Sequence, residues 1–416
     1  MRTNGAILFG ALIALLAAIP AHSQDITDGL NREVGPFHVE TTLDAGLVLS
    51  AGDNAAQFEF VFGDLDLWVQ AEAITESGLR WGARTRFRAQ ADNGREGFAD
   101  RTGLCLDTAP GSDCGSATPP QRSLATGRYS SVYLSDPDRI AAAIEEAHLF
   151  VRAGWGEIRA GLTPGAARLD QPVAPSASRL VTAGGGALDP TGLAAALTQS
   201  TASGIGPKIL VRSERILGLS AALSFTGQTS GCGVDICIHE TDTGRLPDGS
   251  PVRLQGNTLN QVWEAGLSFD HQFQNAGRVE LGVSALTGEV DRDPAGDAYT
   301  AWTLAARWTR GDWSLGGAWL NAGQDEARAY TATSAGVSYD RGLWRLAAEA
   351  AWSSDDFIHE DSTLWQIGAS RLVGDHLLLG GGIRTVAAEP AMQAGGGRIS
   401  GEVRATTVFF ELGARY

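Results

Sequence analysis

Residues 79 to 91 place Arg80, Arg84, Arg86 and Arg88 on one parity and Leu79, Trp81, Ala83 and Phe87 on the other. Successive side chains of a strand point to opposite faces, so this segment sets four guanidinium groups against an apolar strip. Arginine keeps its charge at any ordinary pH and stays planar and weakly hydrated. It therefore suits fixed positive sites along a wall, and the sequence leaves the sign of any ion selectivity open. Guanidinium groups side by side repel unless water or carboxylates screen them, and a dry core could not hold four on one strand without partners. Two uses are compatible with that: a charged wall along water, or a lumenal network of ion pairs that serves stability.

Other candidate groups converge less. The seven histidines and the serines form no catalytic constellation; His239-Glu240 and His359-Glu360-Asp361 fall in acidic connections, and no enzyme is expected. The acidic stretches Asp291 to Asp297 and Asp355-Asp356 offer oxygen ligands of the kind Ca²⁺ takes, but a solvated loop is the plainer reading and no cofactor is expected. The four cysteines make two local pairs, Cys105 with Cys114 and Cys232 with Cys237. In an exported chain these read as disulfides that staple loops. Zinc competes poorly, because the spacings differ from paired CxxC and only His239 lies near either pair.

Export is written at the start of the chain. Arg2 precedes an apolar run from Ala6 to Ala18, and small residues lead up to Ser23, the pattern of a secretory signal peptide. The run is shorter than the ~20 residues a spanning helix needs. Cleavage after Ser23 leaves 416 − 23 = 393 residues, expected to form one unit over 24–416. Beyond it no apolar stretch reaches spanning length; the run from Leu377 to Ile383 is broken by Gly380, Gly381 and Gly382, so helical spans are excluded. The net charge of −16, or −17 once Arg2 leaves, argues against nucleic acid as a partner. With 53 glycines and 11 tryptophans, the composition points to a large β structure.

Alternation supports this along the chain. Trp302, Leu304, Ala306 and Trp308 share one parity, as do Trp344, Leu346, Ala348, Ala350 and Trp352, and Leu217 to Phe225 behaves likewise, with mostly small or polar residues opposite. Tryptophans at both ends of an apolar strip suit the two interfaces of a bilayer. Short connections near 76–78, 154–156, 214–216, 275–277, 311–312, 341–342 and 374–375 alternate with long ones near 93–137, 164–206, 228–258, 289–297, 323–329, 355–361 and 389–401. With the further break between a first strand near 38–50 and a second near 57–73, counting gives sixteen strands. Tight turns at one end, loops at the other and a dyad apolar period describe an all-β, antiparallel transmembrane barrel of the outer membrane. The second strand, near 57 to 73, changes phase between Phe58-Phe60-Phe62 and Leu65-Leu67-Val69, which predicts a bulge near Gly63. The last strand alternates Val408, Phe410, Leu412, Ala414 and Tyr416 and ends on an aromatic, like an insertion signal of outer-membrane proteins.

A barrel of sixteen strands is too wide for side chains to fill. The connection from about 164 to 206 is the expected constriction, because loops of that length are usually functional. Within it Asp189 and Pro190 predict a helix start, as N-cap and first helical residue, and Gly184-Gly185-Gly186 predicts a close approach to the wall.

Residues Glu145 to Gly161, with the arginine strand and the C-terminal strand, resemble Gram-negative general porins, especially the alphaproteobacterial kind. That resemblance implies a sixteen-stranded homotrimer in the outer membrane of a Gram-negative bacterium, whose aqueous channels pass small hydrophilic solutes and ions. It also implies loop carboxylates facing wall arginines. The matching positions are Asp170 and Asp189 on the loop against Arg80, Arg84, Arg86 and Arg88, with Arg152, Arg159, Lys208 and Arg212 added on the polar parity of the following strands. The chain departs from that pattern at Gly161-Leu162, where the family commonly has Gly-Arg, and in a loop that is poor in acids and carries Arg168 and Arg179. The alternatives are a solute-selective channel, expected to line its path with aromatics beside the arginines, and a non-conducting structural or adhesin barrel, expected to carry a plug.

Overall fold

A computed structural model describes residues 31–52, 61–91, 125, 141–191, 193, 196–204, 206–229, 242–245, 251–254, 258–290, 298–324, 329–356, 360–374, 376–389 and 402–415. The expected signal peptide, both cysteine pairs and Asp291 to Asp297 lie outside these residues.

A short β1 (Arg32–Val34) hairpins onto β2 (Phe37–Gly52). The wall continues through β3 (Val61–Ile74), β4 (Arg80–Ala91), β5 (Ala141–Ala153), β6 (Gly156–Leu162), β7 (Pro207–Ser213) and β8 (Leu219–Gln228). A separate hairpin of β9 (Asp242–Arg245) and β10 (Pro251–Leu254) follows. The wall then resumes with β11 (Leu259–Phe273), β12 (Gly277–Val290), β13 (Ala298–Arg310), β14 (Trp313–Gly323) and β15 (Tyr330–Arg341). It finishes with β16 (Trp344–Asp355), β17 (Glu360–Val373), β18 (Leu377–Glu389) and β19 (Val403–Arg415).

Every wall strand pairs antiparallel with its neighbour. β8 joins β11 from Leu219↔Phe269 to Gln228↔Asn260, and β19 joins β2 from Arg415↔Asp44 to Thr407↔Gly52. The result is a closed barrel of sixteen strands, with β1 as a short extra strand on the edge of β2. Closure leaves no unpaired edge along the wall, the condition for a sheet in lipid. Among the described residues no helix is long and apolar enough to span a membrane.

The outer face is apolar. Trp302 and Trp308 on β13, Trp344 and Trp352 on β16, and Leu149, Ile209, Leu304 and Ile367 between such levels are all exposed. A residue's parity decides its fate: on β13 the outward Trp302 is 54% exposed and the inward Tyr299 is 2% exposed.

Much of the inner face is apolar as well, which the alternation did not foretell. Leu259, Val262, Leu286, Tyr299, Leu320 and Tyr330 pack with Ala167 and Ala202 of the long connection. Leu364, Val386 and Ala405 pack with Ala183, Leu193 and Ala196, and Val48, Phe62 and Phe409 with Leu180, Val181 and Leu188. At roughly 1.5–3 kcal/mol for each large apolar side chain fully buried, these contacts hold the connection inside the barrel.

They also correct the expected bulge. β3 pairs with both neighbours through Gly63 without a register shift, so Phe62 shares the inward parity of Asp64 and Asp66. An apolar residue can face inward there because the connection covers it. Register shifts occur elsewhere: on β11 between Asn260 and Trp263, and between β4 and β5, where Arg86 and Phe87 oppose Glu146 and Ile144 and leave Glu145 as the extra residue.

Candidate functional site

The connection from 163 to 206 folds inward and runs along the inner wall. The Ala166 amide donates to Ser224 Oγ on β8 at 2.9 Å, and the Ala167 amide to Glu264 on β11 at 3.1 Å. Arg307 on β13 donates to the Val173 carbonyl at 2.8 Å, and Ser176 Oγ to Glu349 on β16 at 2.5 Å. Ser178 Oγ and the Arg179 amide reach Glu411 on β19, and the Arg179 guanidinium reaches Asp44 on β2. The chain then turns back. Gln366 on β17 donates to the Val181 carbonyl at 2.7 Å, the Ala183 amide donates to Glu349 at 3.0 Å, and the Leu197 amide to the Tyr330 hydroxyl at 2.7 Å. Glu349 thus accepts from both passes of the loop.

The wall is notched to seat it. A Cβ at Gly266 would sit 2.5 Å from the Ala166 carbonyl oxygen, one at Gly336 2.6 Å from the Pro175 carbonyl oxygen, and one at Gly282 2.9 Å from Pro172 Cδ. Gly184, in the predicted Gly-Gly-Gly approach, faces Ser334 of β15, whose Oγ would lie 2.8 Å from an added Cβ. These glycines are needed for lack of a side chain.

The helix predicted at Asp189 does not form among the described residues. Asp189 Oδ1 accepts from the Thr191 amide at 3.2 Å and from the Thr191 hydroxyl at 2.8 Å, while Thr191 Oγ1 accepts from the Leu193 amide at 3.3 Å. Side chains here close successive turns in place of a helical ladder, the alternative that Asp and Thr offer a backbone. Leu197 is meanwhile tied to the wall.

β4 to β6 carry the arginine wall, and Gln90 at the end of β4 donates to the loop's Ala187 carbonyl at 2.5 Å. Arg86 chelates Asp66, with Nε 2.8 Å from Oδ1 and Nη2 2.5 Å from Oδ2, and Arg88 Nε lies 2.7 Å from Asp64. Arg84 lies 3.9 Å from Glu146, and Arg80 3.4 Å from Glu72. Arg152 and Arg159 share Glu157 at 3.0 and 2.6 Å. Trp68 faces inward between these charges, its ring centroid 3.9 Å from the Arg84 guanidinium carbon and 4.5 Å from that of Arg86. The carboxylates of β3 were legible in the sequence, since Asp64, Asp66, Trp68, Gln70 and Glu72 share one parity; Glu146 and Glu157 sit in the stretch that carries the family resemblance.

The two loop acids do not face this ladder. Asp170 pairs with Arg212 on β7, and Asp189 lies 3.2 Å from Arg384 on β18, both members buried. The remaining corrections concern burial. Lys208 is buried and donates to the carbonyls of Ser203, Gly204 and Gly206 at 2.9, 3.0 and 3.3 Å, so it clasps the end of the loop. Arg88 and Arg159 are buried in their pairs. Arg80, Arg84, Arg86, Arg152 and Arg212 retain contact with solvent.

Three of the pairs are asymmetric in exposure. Side-chain exposure is 30% for Arg84 against 5% for Glu146, 34% for Arg152 against 8% for Glu157, and 51% for Arg80 against 12% for Glu72. In these three pairs the carboxylates lie beneath the arginine side chains, whereas Asp64 and Asp170 are at least as exposed as Arg88 and Arg212. On the loop side, Arg179 is partly exposed beside Asp44; its partial burial lowers the guanidinium from the ordinary value, and Glu411 opposes that shift. Among the described residues no group of three His, Cys, Asp or Glu side chains is arranged to hold a metal.

Solved structures share this architecture at low identity. The chain is similar to an anion-selective porin from Comamonas acidovorans, with TM-score 0.52, 12% identity and coverage of 91% of this chain and 100% of that one. It is also similar to OmpT, an outer-membrane protein of Vibrio cholerae, with TM-score 0.51 and 13% identity over 93% and 99% of the two chains. OmpF of Salmonella typhi, solved in complex with daunomycin, gives TM-score 0.52 and 10% identity over 93% and 100%. No curated protein matches the chain in sequence. The Gram-negative porin family model matches residues 10–389, most of the chain, and the protein belongs to that family of outer-membrane porins.

Proposed function

We propose that this porin carries out passive diffusion of small hydrophilic solutes with a preference for anions, through the water-facing gap between the arginine wall and the inward loop. Outer-membrane location and channel function come with the family. The sign of selectivity rests on one observation: in the pairs of Arg80, Arg84 and Arg152 the arginine side chain is several times more exposed than the glutamate side chain that balances it. Charges lining a narrow aqueous path set ion preference at short range.

Two features speak against the alternatives. Trp68 is covered by two guanidinium groups, and the inward aromatics Phe62, Phe150, Phe409, Tyr299 and Tyr330 are buried, so the described residues supply no aromatic track along water. The loop lies against the wall and reaches β3 and β4 through Phe62 and Gln90, yet among the described residues Arg80, Arg84 and Arg152 stay in contact with water, which is not the arrangement of a plug. The resemblance to general porins supports a homotrimer, testable by cross-linking in native membranes. Purified protein in a planar bilayer is expected to give ohmic single-channel steps; absence of steps from folded protein would refute the open channel.

A further inference from the structure

At the end of the barrel that carries the tight turns, three arginines point away from the lumen. Arg310 ends β13, Arg341 ends β15 and Arg371 lies near the end of β17, on the parity of the outward Trp308, Tyr339 and Ile367. Arg310 stands opposite Trp313 of β14, which stands opposite Tyr339 with ring centroids 4.8 Å apart. Arg341 stands opposite Trp344 of β16, which stands opposite Arg371, and the Arg371 guanidinium carbon lies 5.4 Å from the Trp344 ring centroid.

All three arginines are exposed, and among the described residues no carboxylate forms an ion pair with any of them. The contrast with Arg345 is direct: one residue along β16 from Trp344 but facing inward, it holds Asp340 at 2.6 Å. An arginine on the lipid face is costly at the bilayer midplane and tolerated near the interface, where its stem lies along apolar surface and its head reaches the headgroups. Tryptophan prefers that same level. Neighbouring strands are about 4.8 Å apart, so Arg341 and Arg371, two strands apart astride Trp344, leave roughly 10 Å between backbones. Two flexible side chains can close that on one phosphate.

We propose that the outward patch of Arg341, Trp344 and Arg371, extended by Trp313 and Arg310, binds the phosphate of an anionic phospholipid in the leaflet at the tight-turn end. The occupant is a lipid because the arginines share their face with aromatic and aliphatic side chains that only acyl chains would cover. Basic pockets on membrane proteins bind such headgroups by the same attraction.

The test reads tryptophan fluorescence of the full barrel in vesicles that mix phosphatidylcholine and phosphatidylglycerol, with bromine on the acyl chains of one lipid or the other. Brominated phosphatidylglycerol is expected to quench more strongly, with its relative affinity falling about fivefold for each arginine removed. Arg341→Gln with Arg371→Gln should erase the preference, and Arg345→Gln, on the lumenal face, should keep it. Heat-modifiable gel mobility reports whether each variant is folded, and the wild-type comparison stands alone if a variant fails. Equal quenching by both lipids in the wild type, or a preference that survives the double substitution, would overturn the proposal. Suppression by inorganic phosphate would assign the patch to a soluble anion and overturn it as well.

Discussion

Arg86 chelates Asp66 at 2.8 and 2.5 Å, while Arg84, two residues back on the same strand, comes no nearer to a carboxylate than 3.9 Å from Glu146. One guanidinium is fixed by a bidentate pair and the other lies over the Trp68 indole without a close carboxylate, so the two should respond differently to substitution.

Arg84→Gln should reduce anion preference and leave stability nearly unchanged, because little is broken. Asp66→Asn should raise anion preference by removing the charge behind Arg86, at a cost of about 1.5–3 kcal/mol for the lost charge-assisted bonds. Reversal potentials under a salt gradient and thermal unfolding midpoints separate the two effects. Equal behaviour of the two variants would contradict the pairing described above.

Asp64→Asn makes the opposite case. Its partner Arg88 has a side chain only 5% exposed, and removing one member of a buried pair typically costs about 3–5 kcal/mol. The variant should lose its heat-modifiable gel mobility at a clearly lower temperature, with ion preference little altered. A stable variant with shifted selectivity would place Arg88 in the water path instead of the wall.

The loop's seat can be tested from the wall side. Gly336→Val would press on the Pro175 carbonyl and move residues 174–176 toward the arginine wall, so single-channel conductance should fall. Glu349→Ala removes the acceptor for both Ser176 and Ala183, and should make the open channel noisy by freeing the loop. Unchanged traces in both variants would mean that the loop does not bound the conducting path.

The barrel was readable because period-2 alternation and the two classes of connection repeat along the whole chain. The loop was readable only as a long insertion. Asp189-Pro190 satisfies the local rule for a helix start, yet Thr191 closes turns on the Asp189 carboxylate and Tyr330, far away in sequence, captures Leu197. The same distance effect hid the role of Phe62: an apolar residue on an otherwise acidic parity looks like a slip in phase until the segment that covers it is known. Asp170 and Asp189 were visible as the loop's acids, but their partners Arg212 and Arg384 follow from the path of the loop. Lys208 sits on a polar parity like its neighbours, and only the returning carbonyls of Ser203, Gly204 and Gly206 show it to be a clasp.

Arginines above more buried carboxylates should make the lumen prefer anions. Reversal potential in a bilayer separating unequal KCl concentrations measures this directly, in the wild type and in the Arg84→Glu, Arg86→Glu double variant. The account predicts a wild-type potential of the sign for chloride preference, moved toward cations by the double substitution. A wild-type potential of the sign for potassium, or one that the double substitution leaves unmoved, would contradict it.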